Sequence, residues 1–287
     1  MTLPNNDCVN IKSINERILK LSEAIAEKPK LTIKEEEPLF LGVDIGTANV
    51  VSAVVNSDGE AIAGEITRAH VVREGMVVDY FNAIQIVKNQ VDTLQNRIGH
   101  ELSLVTSAVP PGTESGNGKV TRNILEAIGL NVLNIIDEPS AASRVLGIKN
   151  GAVVDVGGGT TGISILKNGK VIYTADEATG GFHFDLVIAG GLKITIEEAE
   201  ERKCNPEMQR LLFPVVKPVC EKIITIIKRH IQKYSPESIY IVGGPCSFPG
   251  FKELMIKELG IPVYLPDVPL LLTPLGIALT CRDLSRI

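Results

Sequence analysis

Tryptophan is absent from this chain, and aromatic residues of all kinds make up 4% of its 287 positions. Flat stacking platforms for bases or sugars are therefore scarce. The net charge is −5, with acidic and basic residues interleaved and no basic stripe, which argues against nucleic acid as the main partner. No apolar run approaches the length of a membrane span, and Met1–Lys30 lacks a signal-peptide layout. The five cysteines (Cys8, Cys204, Cys220, Cys246 and Cys281) are odd in number and never spaced as CxxC. Reduced thiols in a cytoplasmic protein are expected from that usage. His70, His100, His183 and His230 share no metal-ligand spacing and read as surface or packing residues.

Glycine, by contrast, is concentrated in telling places. Leu41-Gly42-Val43-Asp44-Ile45-Gly46-Thr47-Ala48-Asn49 and Val153-Val154-Asp155-Val156-Gly157-Gly158-Gly159-Thr160-Thr161-Gly162 are versions of one pattern. In each, an apolar β-run ends in Asp, turns through Gly and Thr, and re-enters a β-branched run. Glycine lets main-chain N–H groups approach an anion closely, and an Asp at the strand end supplies charge for a hydrated divalent cation. Either segment alone reads equally as an ordinary hairpin turn. Together, with Asp and Thr in register, they predict duplicated half-domains gripping one nucleotide's phosphates.

The rest of the chain alternates β-runs with amphipathic helices, the pattern of an α/β architecture. Ile11, Ile14, Ile18, Leu21 and Ile25 recur at helical spacing, with Ser13-Ile14-Asn15-Glu16 as a capping box and Pro29 as a stop. This helix either docks a partner or folds back on the body. Glu35-Glu36-Glu37-Pro38 follows as a solvated linker. A hairpin over about 40–66 leads to a helix from Asn82, a strand from Ser103, a helix ending at Gly129, and a strand feeding Asp137-Glu138-Pro139. The second half repeats this order, with a hairpin over about 152–174, a helix over about 183–195 and more helix from Ile196 to Ile231. A strand from Ser238, Gly243-Gly244 and a helix to Leu259 follow, then a last helix over roughly 271–281. The implied divisions are 1–38, 39–150, 151–268 and 269–287.

Gly157–Gly162 formally satisfies GxGxxG, but a dinucleotide-binding unit needs a helix on its last glycine. Here the alternating Ile163-Ser164-Ile165-Leu166 reads as a strand. Gly112–Lys119 superficially resembles a P-loop, yet Val120 stands where Ser or Thr should be, and the segment reads as a flexible surface loop. Glu138 either orients a water or stabilises a helix N-terminus. Gly180-Gly181 and Gly243-Gly244 either admit a ribose or phosphate or simply turn the chain.

The ordered set Asp44-x-Gly46-Thr47, Glu138-Pro139-Ser140-Ala141-Ala142, Asp155-x-Gly157-Gly158-Gly159-Thr160, Gly180-Gly181 and Gly243-Gly244 resembles the actin, heat-shock-chaperone and sugar-kinase ATPase superfamily. The likeness spans about residues 40–280. Leu130–Pro139 looks like the DnaK-type chaperones, and Val72–Tyr80 is closer to the bacterial actin-like proteins. As a compact member, the chain is most similar to the EutJ family of ethanolamine utilisation. The resemblance implies an actin-like ATPase fold, with two duplicated ribonuclease-H-like lobes around a nucleotide cleft and an N-terminal helical extension. ATP or ADP would bind between the lobes. Asp44 and Asp155 would hold Mg through its water shell, while Gly46, Thr47, Gly157, Gly158, Gly159 and Thr160 cradle the phosphates. Glu138 would orient the attacking water. Gly180, Gly181, Gly243 and Gly244 would line the ribose–phosphate side, with Glu200 and Lys203 of the family's AExxK helix near adenine. The family is chaperone-like, so ethanolamine ammonia-lyase or other microcompartment proteins are the implied partners, in the cytoplasm or at the microcompartment.

The chain departs from its larger relatives in three ways. The stretch between Ile66 and Asn82 is too short for their inserted subdomain, and no residue matches the chaperones' phosphate-contacting lysine. Gly162 stands where relatives carry an acid, and Ser247 where the chaperones carry an adenine-stacking arginine. The 287 residues include no peptide-binding β-domain or helical lid, so a chaperone role would run through the ATPase body, the N-terminal helix or another subunit. Slow hydrolysis is expected. The competing readings are an actin-like scaffold that binds ATP with little hydrolysis and, behind it, a small-molecule kinase.

Overall fold

The computed structural model describes residues 11–31, 33 and 37–286. Cys8 and the Glu35-Glu36 part of the expected linker lie outside the described residues. The first half runs α1 (Ile11–Glu27), β1 (Phe40–Ile45), β2 (Asn49–Val55), β3 (Ala61–Arg68), the short pair β4 (Val72–Arg73) and β5 (Met76–Val77), α2 (Tyr80–Ile98), β6 (Leu104–Val109), α3 (Asn117–Glu126), β7 (Asn131–Asp137) and α4 (Glu138–Leu146). The second runs β8 (Gly151–Val156), β9 (Thr161–Lys167), β10 (Lys170–Glu177), α5 (Gly181–Leu192), α6 (Ile196–Cys204), α7 (Pro206–Ile231), β11 (Ile239–Val242), α8 (Phe251–Leu259), β12 (Val263–Tyr264) and α9 (Leu272–Leu284).

The two halves build the same sheet. The first has the order β3-β2-β1-β6-β7 and the second β10-β9-β8-β11-β12. In both, three antiparallel strands are followed by two parallel ones. The central strands β1 and β8 are covered on both faces, which is why they read as apolar runs without alternation. Helices α2 and α3 pack outside the first sheet, and α7 and α8 outside the second. Between the sheets lie α4 and α9, in one apolar cluster that joins Phe40 and Val51 of the first sheet to Val153 and Tyr240 of the second. The central layer is dense. A Cβ on Gly42 would stand 2.4 Å from the Ala278 nitrogen, and one on Gly276 1.9 Å from the Ala141 carbonyl.

Caps set the helix boundaries. Asp79 accepts from Asn82 N at 3.1 Å to open α2, Asp137 from Ser140 N at 2.9 Å to open α4, and Thr195 with Glu198 boxes α6. The expected box at Ser13 does not form the start of α1, because the helix already runs from Ile11 and Ser13 lies within it. The expected helical run from Ile196 to Ile231 breaks at Asn205, whose side chain caps α7 just before Pro206. The last three residues of the expected loop Gly112–Lys119 belong to α3.

Helix α1 folds back on the body. Ile14, Ile18 and Leu21 are buried, and α1 crosses β3 so closely that a Cβ on Gly64 would stand 2.8 Å from Leu21. Arg97 of α2 ties it further, donating to the Ala24 carbonyl at 2.7 Å while pairing with Glu65 at 2.7 Å. Leu21→Ala is expected to cost about 2–4 kcal/mol through lost transfer energy and a residual cavity. A urea titration read by circular dichroism measures this, and a cost below about 1 kcal/mol would mean that α1 is not part of the fold's core.

Candidate functional site

Both Asp-Gly turns close with the same main-chain bond: Gly46 N donates to Asn49 O at 2.9 Å, and Gly157 N to Thr160 O at 2.9 Å. Their strand registers match as well, Asp44 opposing Val51 and Asp155 opposing Gly162. The turns face each other across the seam between the sheets. A Cβ on Gly158 would lie 3.1 Å from Ala48 N, and one on Gly159 2.8 Å from the Thr47 hydroxyl, so a side chain at either position would have to push the facing turn aside. The seam opens into a cavity of about 310 Å³, within the range of small-molecule sites.

Asp44, Gly46, Thr47, Glu138, Asp155, Gly157, Gly158, Gly159, Thr160, Gly181, Glu200, Lys203, Gly243 and Gly244 all line that cavity. Of the candidate site residues predicted from sequence, only Gly180 does not line it. It packs behind the second turn, whose carbonyls are taken by the first amides of α5: Gly181 N to Gly157 O at 2.9 Å and Phe182 N to Gly158 O at 2.7 Å. Those amides hold the turn in shape. Lys203 is also engaged, donating to Asp185 at 2.6 Å and to the Gly181 carbonyl at 3.2 Å. Glu200 lies 3.4 Å from His70, a contact that reaches from the second sheet's helices to the first sheet.

Asp155 is the most constrained of these side chains. Its Oδ2 accepts from the Thr273 hydroxyl at 2.6 Å. Gly243, at φ +90°, passes so close that a Cβ there would stand 2.7 Å from Oδ1 and 2.1 Å from the Val156 carbonyl. Burial raises the Asp155 pKa to about 6 despite the Thr273 bond. Burial, reinforced by Asp155, raises Asp44 to about 7. Glu138 opens α4 beside Pro139; burial first, and then Asp155 and Asp44, push its carboxyl well above the usual range.

Sequence reasoning missed three contributors. Thr273 comes from the start of α9, 118 residues from its partner. Arg68, the last residue of β3, lines the cavity wall. Asp176 of β10 is paired with Gly162 in the β9–β10 register, and its Oδ1 is buried without a hydrogen bond. Burial raises Asp176 to about 6 although Thr160 hydrogen-bonds it, with Asp155 adding repulsion. Strand register was the signal for Arg68 and Asp176, and it is readable only once strand pairing is known. Gly162 itself admits the α4 start, since a Cβ there would stand 3.1 Å from the Pro139 ring.

This arrangement of duplicated sheets, facing turns and a carboxylate-lined seam is the actin-like ATPase fold. The model of the MreB/Mbl protein family matches residues 60–205, and that of the type IV pilus assembly protein PilM matches residues 145–270. A crystal structure of MreB5 of Spiroplasma citri bound to AMPPNP superimposes with a TM-score of 0.66 at 17% identity, over 86% of this chain and 97% of that one. At finer grain, the chain is 45% identical to the ethanolamine utilization protein EutJ of Escherichia coli K12 over 249 residues, 86% of this chain and 88% of the relative. The EutJ of Salmonella typhimurium LT2 is 41% identical over 260 residues, 90% of this chain and 91% of that one. The crystal structure of EutJ from Carboxydothermus hydrogenoformans superimposes with a TM-score of 0.88 at 41% identity, covering 94% of this chain and 99% of the other. The chain belongs to the EutJ family of ethanolamine utilisation proteins. Among the described residues no helix is long and apolar enough to cross a membrane.

A carboxylate whose pKa is higher folded than unfolded binds its proton more tightly in the folded state, so it destabilises the fold as pH rises through that window. For Asp176 the window runs from the ordinary 3.8 up to about 6. Asp176→Asn is therefore expected to melt higher than the parent chain at about pH 8 without metal, the gap closing as pH falls below about 6. Differential scanning fluorimetry across that range tests this. A variant that melts lower at pH 8 would show the carboxylate to be stabilising.

Proposed function

We propose that this chain binds ATP with Mg between its two sheets, hydrolyses it slowly, and uses nucleotide-dependent closure to assist a protein client. The client class is ethanolamine ammonia-lyase or another microcompartment protein. The observation that carries the nucleotide reading is the pair of matched Asp-Gly turns facing each other across one cavity that Glu138 also lines. The MreB5 relative of the same fold was crystallised with AMPPNP and with ADP. The client reading rests on membership of the EutJ family and on partial likeness to the chaperone HscA homolog of Haemophilus influenzae, 36% identical over 129 residues.

The donor set fits magnesium. Asp44 and Asp155 are hard oxygen donors from opposite sheets, and their buried mutual repulsion favours a divalent cation between them. Bound there, the ion would neutralise phosphate charge. The remaining work belongs to the chain. The amides of Gly158 and Gly159 would direct N–H dipoles at the phosphate oxygens and Thr47 would add a hydroxyl donor, whereas Gly46 N and Gly157 N close their own turns and the Thr160 hydroxyl is held by Asp176. Glu138, whose carboxyl lines the cavity, would orient a water against the terminal phosphate. Gly243, Gly244, Ser247, Phe248 and Gln209 would receive the nucleoside end. No covalent nucleophile is required, since phosphoryl transfer relies on positioning and electrostatics.

The connection from Arg68 to Tyr80 holds only the short β4–β5 pair. That brevity supports a body that does not build filament contacts from an inserted subdomain. Slow hydrolysis follows from Gly162, which leaves no acid on β9 beside the seam; one missing preorganised group lowers turnover about 100-fold. A steady-state phosphate-release assay without any partner is expected to give about 0.1 turnover per second or less, and a rate of about 10 per second would overturn this.

Cys204 supplies a direct test of binding, because it is exposed and lines the cavity. In a Cys8→Ser background, ATP with Mg should slow maleimide labelling of Cys204. Asp155→Ala is expected to abolish the Mg-dependent part of that protection. Protection that survives with its Mg dependence unaltered would falsify the assigned metal position.

A further inference from the structure

A cavity built to hold a polyphosphate needs positive charge, and the charged side chains that line this one are mostly acidic. Asp44, Glu138, Asp155 and Glu200 contribute carboxylates. Among the described residues that line it, the cationic side chains are Lys203 and Arg68. Lys203 is only 15% exposed at its side chain and is already neutralised by Asp185 at 2.6 Å. Arg68 is exposed, and it makes no hydrogen bond or ion pair among the described residues.

Register explains why Arg68 faces the site. In the first sheet Asp44 opposes Val51, Val51 opposes Ile66, and two residues further along Asn49 opposes Arg68. Side chains two apart on a strand share a face, so Arg68 and Asn49 lie on the face that carries Asp44 and Val51. All four line the cavity. Thr67, one residue earlier, points the other way and is held by Gln90 at 2.8 Å. The bond from Ala69 N to Ala48 O at 3.1 Å fixes the end of β3 against the first turn. Two strand spacings across and two residues along separate the Cα atoms of Asp44 and Arg68 by about 12 Å. The interval leaves room for phosphate between a cation at Asp44 and the end of an arginine side chain.

We propose that Arg68 is the residue that clamps the polyphosphate in this chain, supplying from the end of β3 the positive charge that Val72, Gly75 and Val77, the residues of the β3–α2 connection that line the cavity, do not carry. Its planar fork suits two phosphate oxygens at once. Because it acts on phosphate and not on the nucleoside, it sets the preference for ATP over AMP. The proposal rests on the nucleotide reading above.

The test compares the parent chain, Arg68→Ala and Arg68→Lys by isothermal titration with ATP and with AMP, in the presence of Mg. Arg68→Ala is expected to weaken ATP about tenfold while AMP affinity stays within twofold, and Arg68→Lys to recover most of the loss. All three should melt together, since Arg68 has no partner to lose. An unchanged ATP-to-AMP ratio in Arg68→Ala, or an equal loss for both nucleotides, overturns the assignment and leaves the site standing. A parent chain that binds neither nucleotide overturns the site and Arg68 with it.

Discussion

Burial of the Asp155 carboxylate is the constraint on which the rest of the molecule depends. It stands at the end of β8, the central strand of the second sheet, where a charged group loses its water. Its compensation comes from far away in the chain. Thr273 donates to it from α9, and Gly243 leaves space for it by carrying no side chain at positive φ. The helix that brings Thr273 lies against β1 and α4 with almost no clearance, at Gly42 and Gly276. Satisfying one carboxylate thus fixes the relation of both sheets, and anything that moves that carboxylate is felt in the layer between them.

The same burial leaves the seam with too much negative charge. Asp44, Glu138, Asp155 and Asp176 all have carboxyls raised by desolvation, and each of Asp44, Glu138 and Asp176 is further raised by Asp155. A structural ion-pair network would have supplied a partner for each acid. Lys203 is committed to Asp185 instead, and Arg68 at the cavity wall pairs with none of these carboxyls, so the buried acids face one another without a cationic partner. Stored repulsion of this kind is a mark of functional sites. Its release by a divalent cation would give ligand binding a direct hold on the contact between the sheets.

Much of this was legible in the sequence, and what was hidden has a common cause. The two turns were readable because each is contiguous, and their equivalence shows in spacing alone, from Asp through Gly-Thr to a second β-run. The strand and helix order followed from alternation and caps. Glu138 stood out because Asp137 and Pro139 mark a helix start. Thr273, Arg68 and Asp176 were invisible because each reaches the seam through pairing between distant segments. An arginine at the end of a strand is ordinary until register puts it on the face of Asp44. The box at Ser13 misled for the opposite reason: a local signature matched, but the helix already runs from Ile11, ahead of it.

Gly162 looked from sequence like a plain loss, the removal of an acid from the cleft. In the fold it has two consequences that belong together. The absent side chain lets the Pro139 ring come within contact of β9, which draws the start of α4, and with it Glu138, against the second sheet. Acidity then returns one strand further out, since Asp176 is the residue paired with Gly162 across the β9–β10 ladder. An acid on β9 itself would meet Pro139 and Pro111. Negative charge beside Asp155 and close approach of the Glu138 turn therefore compete for the same space, and this chain resolves the competition in favour of approach. Asp176, set back behind Thr160, bears on the second turn through that hydroxyl and through its field. The seam thus holds the Glu138 turn close against the second sheet and keeps its fourth acid one strand away.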